Sequence, residues 1–127
     1  MPAEKPPVPI PPIAADVAAQ LAETMFALAT PSRLQILACL SGGPLTVSQI
    51  IAAVGMEQSA VSHQLRVLRD HAAVSVERRG RERLYALHDE HVWDLLESAR
   101  QHVLVLRSPR AATSDASQRG VRRGAAS

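Results

Sequence analysis

Two groups of side chains in this sequence have types and spacing suited to chemistry. The first lies in one short segment: Gln58, Ser59, Ser62, His63 and Arg66. Set on one side of a helix, these side chains can hydrogen-bond base edges or phosphates in a major groove. A basic run follows, Arg78-Arg79-Gly80-Arg81-Glu82-Arg83, with four positive charges against one negative. The second group is Asp89, His91 and His102. Carboxylate oxygen and imidazole nitrogen are ligand types for divalent transition metals. On a helix, eleven residues turn through about 20° net and rise about 16 Å, so His91 and His102 share a face but cannot touch one ion within one chain. Antiparallel pairing of two such helices would bring His91 of one copy near His102 of the other.

Other chemistries find no support. There is no nucleophile–base pairing and no glycine-rich phosphate loop, and His88-Asp89-Glu90-His91 lacks the spacing of a His-Glu-x-x-His metalloprotease. An enzyme is not expected. The single cysteine, Cys39, rules out an intrachain disulfide framework and a Cys-rich zinc module. Its neighbours Ile36, Leu37 and Leu40 predict a buried, inert thiol. Aromatic residues are 2% of the chain, too few for a base-stacking platform. No apolar run approaches the roughly 18 residues of a membrane span. Pro6, Pro7, Pro9, Pro11 and Pro12, with Asp16 soon after, break any signal-peptide core. The expectation is a soluble, cytoplasmic protein.

The elements that must position these groups are punctuated in the sequence. A length of 127 residues and 46% hydrophobic content fit one domain with a core. Residues 1–13 hold six of the nine prolines and read as a disordered, extended arm. Residues 107–127, rich in Ser, Ala, Gly and Arg, read as a disordered basic tail. The folded domain is placed at 14–106. Val17, Leu21, Met25 and Leu28 form a helical stripe over about 14–29. Thr30-Pro31 starts a second helix, which ends at Gly42-Gly43-Pro44. Thr46 with Gln49 resembles a capping box for a helix over 47–54, stopped by Gly55. Val61, Leu65 and Leu68 mark a helix over 58–70 with Ser59, Ser62, His63 and Arg66 on its other side. Two short strands, 74–78 and 83–87, flank a turn at residues 79–82. Asp89 caps a last helix over about 90–106.

This order is mainly α with a small β-hairpin, α-α-α-α-β-β-α. A glycine-turned helix pair followed by a basic hairpin is a winged helix-turn-helix. The wing arginines Arg79, Arg81 and Arg83 would lie along the DNA backbone or in the neighbouring minor groove. Leu95, Leu96, Ala99, Val103 and Leu106 give the last helix an apolar side that one small domain cannot cover, and the first helix should join it through Val17 and Leu21. A symmetric homodimer is expected. His71, at the end of the 58–70 helix, is placed to favour the helix dipole.

Two stretches resemble the ArsR/SmtB family of bacterial metal-sensing repressors. Leu28-Ala29-Thr30-Pro31-Ser32-Arg33-Leu34-Gln35-Ile36-Leu37 is similar to the family's second helix, and the run from Gln58 to Leu68 is similar to its recognition helix. Arg79-Gly80-Arg81 and Leu84-Tyr85 fit its wing. The resemblance covers about residues 15–106. It implies a homodimeric repressor that binds a palindromic double-stranded operator, with Gln58, Ser59, Ser62, His63, Gln64, Arg66, Arg79, Arg81 and Arg83 as the DNA-binding set. It also implies an inducer, usually a metal ion such as Ni, Co or Zn. Asp89, His91 and His102 match the family's last-helix site residue by residue. The fourth position, three residues after His102, is Val105, which cannot ligate; water, His88 or Glu90 are alternatives there. Thr46 and Ser48 stand where the family's third-helix cysteines would be, which excludes a thiolate site. Two readings stay open: a direct metal sensor, or a DNA-binding regulator controlled by a protein partner. Asp89 also reads as a plain N-cap, and His91 and His102 as interface residues.

Overall fold

Three of the five described helices begin on a side-chain cap. A computed structural model describes residues 7–108 of the chain. The expected disorder of residues 1–6 and 109–127 lies outside the described residues; residues 7–14 form no helix or strand and are exposed. Helix α1 spans Ala15–Ala27 and α2 spans Pro31–Leu40. The Thr30 hydroxyl caps α2 by accepting the Arg33 backbone N–H at 3.3 Å, and Pro31 fills the first turn, where no N–H is needed. Helix α3, Val47–Val54, starts with a complete capping box: Thr46 Oγ1 accepts from the Gln49 amide at 3.2 Å, and Gln49 Oε1 accepts from the Thr46 amide at 2.9 Å. Gly55 closes it at φ 73°, a left-handed position that strains any residue with a Cβ. Helix α4, Gln58–Asp70, follows three residues after α3 ends.

The sheet differs from expectation. It has three strands rather than two, because Leu45–Thr46 (β1) pairs antiparallel with β3. The element order is therefore α-α-β-α-α-β-β-α, with strand order β1-β3-β2. Two residues carry no alternation, so β1 leaves no periodic trace in the sequence. Strands β2 (Val74–Arg79) and β3 (Glu82–Leu87) pair in full register from Val74 opposite Leu87 to Arg79 opposite Glu82. The turn is thus two residues, Gly80-Arg81, with Gly80 at φ 66° as tight hairpin loops require. Helix α5 spans Glu90–Arg107, with both Asp89 carboxylate bonds to its first amides in place.

The core sits among α2, α3, α4 and the sheet. Ile36, Leu37, Leu40, Ile50, Val61, Leu65, Leu68, Ala73, Val74 and Tyr85 are buried together. Helix α5 buries none of its residues, and α1 buries only Ala27. Their apolar side chains face outward: Val17, Leu21, Met25 and Phe26 on α1, and Leu95, Val103, Leu104, Val105 and Leu106 on α5. Leu96, expected with the outward set, packs instead against the core beside Val92. Among the described residues, no helix is long and apolar enough to cross a membrane.

Candidate functional site

Helix α4 is pinned on one side and open on the other. Val61, Leu65 and Leu68 are sealed in the core, so the 3.6-residue period leaves Ser59, Ser62, His63 and Arg66 exposed in one band. Gln58 is exposed at the helix start, and Arg69 continues the band toward the wing strands. Sequence reasoning missed Arg69, although it stands seven residues after Ser62 and three after Arg66. Gln64 departs from the expected set. It is half-buried, and its Oε1 accepts from Arg33 Nη1 at 2.9 Å. The Arg33 Nε of the same guanidinium donates to the Ala27 carbonyl. Gln64 is thereby turned toward α2 and the end of α1. The family resemblance places it in the DNA-binding set, yet its position borders the Val61–Leu65–Leu68 side.

The hairpin register sorts the wing arginines. Side chains alternate across a strand, so Arg78 and its partner Arg83 share the sheet face of buried Val74 and Tyr85. Two like charges directly opposed on neighbouring strands repel, and an anion laid across them removes that repulsion. Arg79 lies on the other face, opposite Glu82 and beside Glu77, so acidic groups offset its charge. Arg81 occupies the exposed loop. Arg78 was missed, although counting back from the Gly80 turn would have found it.

The metal-type donors divide between the ends of α5. At the start, Asp89 Oδ1 accepts the amides of His91 at 3.0 Å and Val92 at 3.2 Å. His88 Nδ1 lies 3.2 Å from Asp89 Oδ2, and His91 Nδ1 lies 3.6 Å from Asp89 Oδ1. The His88 hydrogen bond, with the two helix amides, holds the Asp89 carboxyl below its usual pKa. His91 is 87% exposed. His102 is exposed near the other end, and Val105 is 57% exposed. Among the described residues, no group of three His, Cys, Asp or Glu side chains within the chain could hold a metal ion. The donor chemistry suits a divalent transition metal, but one chain supplies only parts of a site. Between those ends, Glu97 forms a two-bond pair with Arg100 at 2.8 and 3.0 Å and accepts from Gln101. Arg100, then Gln101, draw the Glu97 carboxyl down to about 2.

Cys39, expected to be buried, is only partly so, and His71 sits at the end of α4. The Cys39 thiol donates to the Ile36 carbonyl at 3.1 Å, and burial raises its pKa. A thiol kept protonated in this way is a poor nucleophile and a poor ligand. His71 Nδ1 lies 3.0 Å from the Val67 carbonyl, at the negative end of α4.

The same arrangement recurs in known proteins. The family model for bacterial regulatory proteins of the arsR family matches residues 30–71. The HTH-type transcriptional regulator NmtR of Mycobacterium tuberculosis is 55% identical over 91 residues, which is 72% of this chain and 76% of that protein. The solution structure of apo-NmtR has a TM-score of 0.64 at 50% identity, covering 84% of this chain and 89% of that one. A transcriptional repressor SmtB homolog of Synechocystis is 43% identical over 88 residues, or 69% of this chain and 67% of that protein. A homodimeric winged helix-turn-helix DNA-binding domain from Mycobacterium bovis has a TM-score of 0.67 at 31% identity, covering 70% of this chain and 82% of that one.

Proposed function

The chain belongs to the ArsR family of bacterial regulatory proteins, and on that premise we propose that it is a dimeric repressor whose grip on a palindromic operator is set by a divalent transition metal. Family membership makes it a transcriptional regulator and not an enzyme. One observation carries the DNA-binding half. The exposed band Ser59–Ser62–Arg66 lies on a helix whose opposite side is locked into the core, so its side chains reach a groove from a rigid base. Ser62, His63 and Arg66 read base edges, and Gln58 and Ser59 approach phosphates at the helix start. Arg78, Arg81 and Arg83 neutralise phosphates along the wing.

The dimer follows from the apolar faces of α1 and α5, which have no cover within one chain. A two-fold axis through that layer would set two recognition helices about one helical turn apart, or a multiple of it. Antiparallel α5 helices would bring Asp89 and His91 of one protomer to His102 of the other. These three residues would hold the ion, with Val105 leaving the fourth position open. A bound divalent ion would cross-link the two α5 helices and so favour one dimer geometry over another. Its effect on DNA cannot exceed its differential affinity for the two geometries, typically about 1–3 kcal/mol.

A second reading rests on Val105 and on the divided donors: the same DNA-binding dimer, with a protein partner supplying the signal in place of the metal.

The DNA-binding half is tested by comparing an operator duplex with random DNA. Arg66→Ala should cost about 1–3 kcal/mol on the operator and much less on random DNA, with Ser62→Ala in the same direction. Arg78→Ala or Arg81→Ala should weaken both alike and lower the salt slope by about one each. Ser62 and Arg66 variants that bind the operator like wild type would overturn the assignment of α4.

A further inference from the structure

We propose that Arg33 is a positioning residue for DNA recognition: through Gln64 it braces the recognition helix against the end of α1, and this brace sets the spacing of the two recognition helices in the dimer. The inference rests on the operator-binding reading above.

The brace has three fixed points. Arg33 lies in the first turn of α2, where its backbone amide is held by the Thr30 hydroxyl. Its Nε donates to the carbonyl of Ala27, the last residue of α1 and the only one that helix buries. That carbonyl is one of those a helix end leaves without an intrahelical partner. Its Nη1 donates to Gln64 Oε1 at 2.9 Å, two residues from both Ser62 and Arg66 and on the other side of α4 from their exposed band. The guanidinium is planar and its donors stand at fixed angles, so the two bonds set both a distance and a direction. Lysine could replace the charge but not the fork.

The position of the brace matters because α1 is otherwise weakly held. It makes few contacts with the rest of its own chain, and its apolar side, including Phe26 at 79% exposure, faces outward. In a dimer, that side is fixed by the second copy. Arg33 then joins an element placed by the partner to the helix that enters the groove. It can hold α4 at one tilt only while both ends of the brace are anchored.

Gln64 on this account reads no base. Its amide oxygen is committed to Arg33, and losing it should alter geometry rather than remove a contact.

The test uses the full-length protein and duplexes selected from random sequence by the wild type, remade with the half-site spacer one base pair shorter or longer. Wild type should prefer its own spacer by about tenfold or more, the size of one charge-assisted hydrogen bond. Arg33→Lys and Gln64→Ala should both flatten that preference while leaving random-DNA affinity and the dimer dissociation constant unchanged. The double variant should be no worse than either single one, because both remove the same link. A role in stability alone would lower the melting temperature and weaken every spacer equally. Gln64→Ala, at a half-buried site, guards against misfolding of the arginine variants. Full spacer discrimination with uniformly lower affinity in Gln64→Ala would make Gln64 a DNA contact and overturn the proposal. Additive effects of Arg33→Lys and Gln64→Ala would overturn it too. If wild type enriches no duplex over random DNA, the operator-binding reading itself falls, and the brace with it.

Discussion

The unit of α2, α3, α4 and the sheet is complete in one chain, and the pair α1 and α5 is not. The first unit buries ten residues in one cluster and presents its polar groups in an ordered band. The second buries one residue in thirty-one positions, leaves most of its leucines and valines exposed, and splits its metal-type donors between two ends of one helix. The difference teaches which properties belong to the monomer. On the proposed reading, recognition chemistry is folded into one chain and control is assembled from two copies. The Arg33 bond to the Ala27 carbonyl is a polar link between the two regions, and the same guanidinium reaches Gln64 on α4.

The largest effect should come from breaking the complete unit. Leu65→Ala removes a side chain with 1% exposure beneath the recognition helix and should cost about 2–5 kcal/mol in denaturant unfolding. Operator binding should fall with it, because the band above loses its base. A cost below about 1 kcal/mol would mean that α4 is not anchored as described.

The incomplete unit should respond differently. Val103→Glu, on the outward face of α5, should raise the dimer dissociation constant at least about tenfold, equivalent to about 1.4 kcal/mol. The fold of each protomer should survive, as judged by circular dichroism. Operator affinity should drop because two half-sites are no longer engaged together. A variant that stays dimeric by light scattering at micromolar concentration would place the interface elsewhere.

The smallest effect concerns the exposed pair in the middle of α5. The Glu97 carboxyl sits at about 2 against an ordinary 4.5, drawn down by Arg100 and Gln101. A depressed carboxylate stabilises the folded form above its ordinary value, and that contribution is lost as pH falls through the lowered one. Glu97→Gln should therefore be slightly less stable than wild type at neutral pH. The two melting curves should converge as pH falls from 4.5 toward 2. A constant gap across that range would assign the loss to packing rather than charge.

Much of this division was legible in the sequence. Thr30-Pro31, Thr46 with Gln49, and Gly55 act on backbone groups within a few residues, so their meaning is local. Val61, Leu65 and Leu68 gave the inner side of α4 by period alone. The uncovered faces of α1 and α5 were legible as apolar residues in excess of what one small core can hold. What stayed hidden depends on distant partners. Strand β1 exists only because Leu45 and Thr46 meet Tyr85 and Leu84, some forty residues on. Gln64 turns inward only because Arg33, 31 residues away, offers a donor there. The sorting of Arg78 from Arg79 needed the register, with Arg78 opposite Arg83 and Arg79 opposite Glu82.

The central claim is that control is built across two copies of α5. Its most direct test is operator affinity with and without Zn, Ni and Co, for wild type and for His102→Ala. The account predicts that at least one metal changes wild-type affinity by about 5–150-fold. It predicts that His102→Ala binds the operator like metal-free wild type and ignores the metal. The response should weaken as pH falls, since the ligands must shed protons to bind, and Val105→His should enlarge it. A wild-type dimer indifferent to all three metals, or a His102→Ala variant that responds as wild type does, would contradict the account.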